Sequence, residues 1–123
     1  MKNLALKLLE VQKELGIVLK DADNPFYKTA YASINAYIDA IKPILSKHGI
    51  VILQPLTTDG VATLLIDTAS GESMQTAIKL PEIADPQKMG SAITYFRRYS
   101  LQSLFVIKAV DDDGSSAKDG LAF

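Results

Sequence analysis

The chain has 123 residues, 48% of them hydrophobic and 22% charged, with a formal net charge of −1. That length sets a single domain able to bury roughly two-thirds of its unfolded surface. The absence of cysteine excludes disulfides and thiolate-bound metals, and the single His48 excludes sites that need a histidine pair.

Charge is unevenly spread. Setting aside Lys118, and Asp111, Asp112, Asp113 and Asp119, residues 1–110 carry a net +2. A polyanion binder of this composition must therefore gather its cations on one face. No apolar run reaches the roughly 18 residues of a membrane helix, and charges interrupt the apolar pattern of the N-terminus, so no signal peptide is read there. A cytoplasmic protein with no membrane partner is the expectation.

Residues 2–15 read as a helix with Leu4, Leu8, Val11 and Leu15 on one face and Lys7, Glu10 and Glu14 on another. Gly16 is the expected stop. Residues 17–32 have no helical period, and Asn24-Pro25 marks a turn. There Phe26, Tyr27 and Tyr31 surround Lys28. This mixture suits stacking on bases, or else a loop closing its rings over the core.

Ser33 is a suitable N-cap for a helix over 34–48, whose buried stripe is Ile34, Tyr37 with Ile38, Ile41 and Leu45. Pro43 should kink it or remove a hydrogen bond. Strands are expected over 50–57, 61–68 and 73–80, joined by tight turns at Gly60, free to take positive φ, and at Ser70-Gly71-Glu72. Two tight turns imply antiparallel pairing. The expected fold class is α+β, a three-stranded antiparallel β-meander backed by helices.

Asp85 and Pro86 open a third helix, running to about Leu101. Met89, Ile93, Phe96 and Leu104 form its apolar stripe. Lys88, Ser91, Tyr95, Arg98 and Gln102 fall opposite, with Arg97 beside them. Two adjacent guanidiniums, a lysine and ring platforms at Tyr95 and Tyr99 suit a polyanion carrying stackable bases. Phe105–Val110 can form a short strand. The folded domain is expected over 1–110, with an acidic flexible tail over 111–123.

The catalytic alternatives are thin. Neither GxxxxGK[ST] nor GxGxxG occurs, and no Ser-centred elbow is present. The remaining option is a Mg²⁺-dependent nuclease built on Asp59, Asp67, Asp85 and Asp111–Asp113. Asp59 reads as a turn residue and Asp85 as a cap, so the chain is read as not an enzyme, with no cofactor, metal or catalytic residue. A purely structural or protein-binding domain is the third reading.

The segment Gly90, Ser91, Ala92, Thr94, Tyr95, Arg97, Arg98, Tyr99 and Leu101, followed by Asp111–Gly114, resembles the signature of the ERF (essential recombination function) family of phage single-strand annealing proteins. Asn24, Pro25, Phe26, Lys28, Tyr31 and Ala32 are similar too, and so are Ile41, Pro43, Leu45 and Gly49. The resemblance covers roughly residues 20–114. It implies ATP-independent binding of single-stranded DNA and annealing of complementary strands in phage or prophage recombination, in the cytoplasm of a bacterial host.

It also implies a homo-oligomer, ring or helical filament, with a host single-stranded-DNA-binding protein or a phage exonuclease as further partners. Carried onto this sequence, the DNA contacts are Arg97, Arg98, Lys88 and Tyr95; Lys28, Lys79 and Tyr31 are the further DNA-binding residues expected. One departure is Ala30, where members often carry a second basic residue. Annealing requires free pairing edges, so backbone contacts are expected to dominate over base-edge contacts.

Overall fold

Three antiparallel strands form the sheet of this protein: β4 (Ile50–Leu53), β5 (Gly60–Asp67) and β6 (Ser73–Lys79), in that spatial order. A computed structural model describes residues 1–111. Ile52 pairs with Leu65, and Leu65 with Met74, so one register line crosses the sheet. Around this sheet lie α1 (Lys2–Glu14), α2 (Ile34–Lys47) and α3 (Pro86–Phe105). The fold is α+β, as the sequence implies.

The apolar stripes meet where the helices cover the sheet. Leu4 and Val11 of α1, Tyr37, Ile41 and Leu45 of α2, Leu101 and Phe105 of α3, and Ile50 and Leu65 of the sheet form one buried cluster. Ser33 caps α2, its Oγ accepting from the Ala36 N–H at 3.1 Å. Asp85 caps α3 in the same way, accepting from the Gln87 N–H at 3.0 Å.

Three local expectations are corrected. The first strand is regular only to Leu53, because Pro55 has no N–H for the ladder; pairing resumes as a single bridge between Leu56 and Val61. Gly60 does not take positive φ. It is required by close approach instead, since a Cβ there would sit 1.9 Å from the Ile78 carbonyl oxygen. Phe105 belongs to α3 rather than to a strand, buried on the helix's last turn.

The end of α3 sets up one more pairing. Val106 takes a left-handed conformation (φ 54°), and the Ile107 N–H bonds back to Gln102 O at 3.0 Å. The chain then runs as β7 (Ala109–Val110), parallel to β1 (Val18–Leu19). Lys20 pairs with Asp111 at 3.3 Å just beyond. The flexible acidic tail expected after this point lies, from residue 112 on, outside the described residues.

Candidate nucleic-acid interface

The segment that lacks helical period folds as a hairpin. β2 (Ala22–Asp23) pairs antiparallel with β3 (Ala30–Tyr31). Asn24 builds the turn: its Oδ1 accepts from the Phe26 and Tyr27 N–H groups, and its carbonyl accepts from the Lys28 N–H at 3.0 Å. Phe26 and Tyr27 do not close over the core. They stand at the tip, 87% and 76% exposed.

Between this hairpin and the N-terminal half of α3 lies a half-open groove of about 970 Å³. Tyr31 and Phe26 line it from the hairpin side, and Gly90, Thr94, Tyr95 and Arg98 from the helix. Gly90 leaves open space where a side chain would stand. The expected N-terminal start of α3 thus becomes one wall of a cleft.

Arg98 is the groove's central charge. Its guanidinium carbon lies 4.3 Å from the Tyr31 ring centroid, 4.9 Å from Tyr99 and 5.4 Å from Tyr95. Cation–π attraction of this kind holds a guanidinium without neutralising it. No carboxylate pairs with Arg98 among the described residues. Tyr95 and Tyr99 lie 4.6 Å apart, centroid to centroid. Hydrogen bonding to Tyr99, with its proximity, holds the Tyr95 hydroxyl above its usual pKa of 10. Behind the groove Tyr37 is buried, and burial pushes its hydroxyl up as well.

Arg97 goes elsewhere. One residue along a helix is a rotation of about 100°, and that rotation takes its side chain to the flank facing the sheet. Its Nε donates to Gln54 Oε1 at 3.3 Å, and Gln54 Nε2 donates back to the Arg97 carbonyl at 3.2 Å. Here Arg97, Lys42 and Gln54 border a smaller hollow of about 170 Å³ with Ile38, Ile52 and Leu101. The two arginines, read together from their adjacency, serve different surfaces.

The other expected contacts divide likewise. Tyr95 and Tyr31 line the groove with Arg98. Lys28 and Lys88 are exposed beside lining residues, Lys28 at positive φ in the hairpin turn and Lys88 in the first turn of α3. Lys79 is exposed at the end of β6, paired with Gly60, and does not line the groove. Gln54 and Lys42 escaped the sequence reading. Their only signal was a polar residue within an apolar strand and a lysine on the flank of α2.

Of the carboxylates named for a metal site, Asp112 and Asp113 lie outside the described residues, and the others form no cluster. Asp67 is buried and accepts from Lys7 Nζ at 2.6 Å and Ser70 Oγ at 2.6 Å. Asp85 caps α3, and Asp111 pairs with Lys20. No cluster of three or more His, Asp or Glu forms among the described residues.

A model of the ERF superfamily matches residues 4–120, nearly the whole chain. The chain belongs to the ERF superfamily. No curated protein and no solved structure matches it. Membership in the ERF superfamily supports a role of the phage recombination and annealing type. Among the described residues no helix is long and apolar enough to cross a membrane.

Proposed function

We propose that this ERF-superfamily chain binds single-stranded DNA in the groove between the β2–β3 hairpin and α3, and pairs complementary strands without ATP. The observation that carries this reading is Arg98, a cation with no carboxylate partner among the described residues, held among three tyrosine rings in an open cleft. Cationic grooves with aromatic platforms are the sequence-tolerant means of holding a single strand. Arg97 and Lys42, bordering the smaller hollow, offer phosphates a contact outside the groove between the hairpin and α3.

No bond is made or broken in this reading. The protein lowers the cost of bringing two polyanions together and keeps each strand from folding on itself. One copy offers few cations, so useful affinity comes from many copies along a strand, which supports a ring or filament. The role belongs to phage or prophage recombination, alongside a host single-stranded-DNA-binding protein or a phage exonuclease.

The test is strand annealing of complementary oligonucleotides in EDTA, followed by fluorescence, with Arg98→Ala beside the unaltered protein. Pairing should proceed in EDTA and fall about tenfold or more in the variant, a loss of roughly 1.4 kcal/mol at the level of one charged contact. Strand degradation appearing only with Mg²⁺ would support a nuclease instead.

A further inference from the structure

We infer that the groove grips unpaired nucleobases by their faces, about one or two per copy, while the phosphates pass outside it. This rests on the single-strand binding proposed above and specifies which part of the ligand the groove takes. Among the described residues, the groove's lining contains one cation, Arg98, but five aromatic side chains: Phe26, Tyr27, Tyr31, Tyr95 and Tyr99. A track for phosphates would show the reverse balance, because each neutralised phosphate needs its own cation.

The details agree. Arg98 already lies against the Tyr31 ring at 4.3 Å, so its guanidinium plane is part of the stacking surface. Phe26 and Tyr27 are large rings held out in solvent by an Asn24-built turn, and no core contact accounts for their exposure. Gly90 leaves room above α3 for a flat group.

Duplex DNA cannot present base faces to a cleft, because they are stacked on one another. The groove therefore selects single strands by geometry as well as by charge. Stacking uses the face of a base and leaves its hydrogen-bonding edge unengaged. A strand held this way stays competent to pair, which reconciles an aromatic groove with annealing.

The experiment compares two oligonucleotides of equal length and charge, one normal and one with abasic sites throughout, by fluorescence anisotropy. The normal strand should bind at least tenfold more tightly. Phe26→Ser with Tyr27→Ser, at exposed positions that leave the core untouched, should remove most of that difference and leave abasic binding as it was. Equal affinity for the two strands would overturn the inference while leaving single-strand binding intact. Failure to bind either strand would overturn both readings. An unchanged preference in the hairpin variant would place the bases elsewhere and overturn the inference alone.

Discussion

Arg97 and Arg98 are neighbours in sequence with different physical tasks. Arg97 exchanges hydrogen bonds with Gln54, tying α3 to the end of β4. Arg98 touches rings that are themselves half exposed, Tyr95 at 49% and Tyr99 at 44%. The two should therefore separate on substitution. Arg97→Ala should lower stability by about 1 kcal/mol, the usual net worth of one such hydrogen bond. Arg98→Ala should leave the urea midpoint nearly unchanged while losing DNA affinity. Paired urea denaturation and binding curves check this, and equal stability losses in both variants would reject the division of roles. The basic character of this stretch was legible in the sequence, because residue type alone shows it. The divergence was not, since it depends on Gln54, which is 43 residues away from Arg97 and is brought to it only by the meander.

At the scale of elements, the helices and strands were legible where pattern and cap coincide. Ser33 and Asp85 sit at the caps expected of them, and β6 keeps Met74 and Ile78 half-buried with exposed residues between. The β2–β3 hairpin was legible only as a turn. Its strands are two residues each, too short for any period, and their pairing is fixed by contacts the sequence does not display. Asp21 supplies one: its carboxylate accepts from the Ser33 N–H at 2.7 Å and from Ser33 Oγ at 2.8 Å, fastening the hairpin to the start of α2. These bonds hold the Asp21 pKa below its ordinary 3.8, the Ser33 backbone N–H contributing most. Ser33→Ala removes a cap and half of this tether together. It should cost about 1 kcal/mol. It should also loosen Phe26 and Tyr27 relative to α3, seen as faster amide exchange at Asp21–Asp23. A variant whose hairpin amides exchange as before would show that the tether does not set the groove's width.

For the molecule as a whole, the first helix is tied by carboxylates along its length, in addition to the burial of Leu4 and Val11, and acid should weaken its hold. Lys7 and Ser70 hydrogen bonds hold Asp67 down at about 2, against an ordinary 3.8. Glu72 accepts from the Leu4 N–H at 2.9 Å and pairs with the N-terminal amine at 3.2 Å, and the Leu4 bond first of all lowers its pKa. At the other end of α1, His48 and Lys47 contact Glu14 and lower its pKa, His48 most. Each of these folded-state values lies below the unfolded one, so each contribution is complete above the ordinary carboxylate range and disappears as pH falls through the depressed value. Thermal melts by circular dichroism should therefore show a level Tm from pH 7 to about 4.5, the ordinary Glu value, and a progressive fall from there towards pH 2. Asp67→Asn should lower the neutral-pH plateau, because Lys7 loses its buried partner, and should flatten the acid limb. The groove is formed by the hairpin, α2's first turn and α3, with α1 no part of its lining, so single-strand binding should outlast the first stage of this acid transition. If binding is lost in step with the earliest fall in Tm, α1 supports the groove through the shared core, and the molecule unfolds as one unit rather than from its N-terminal helix inward.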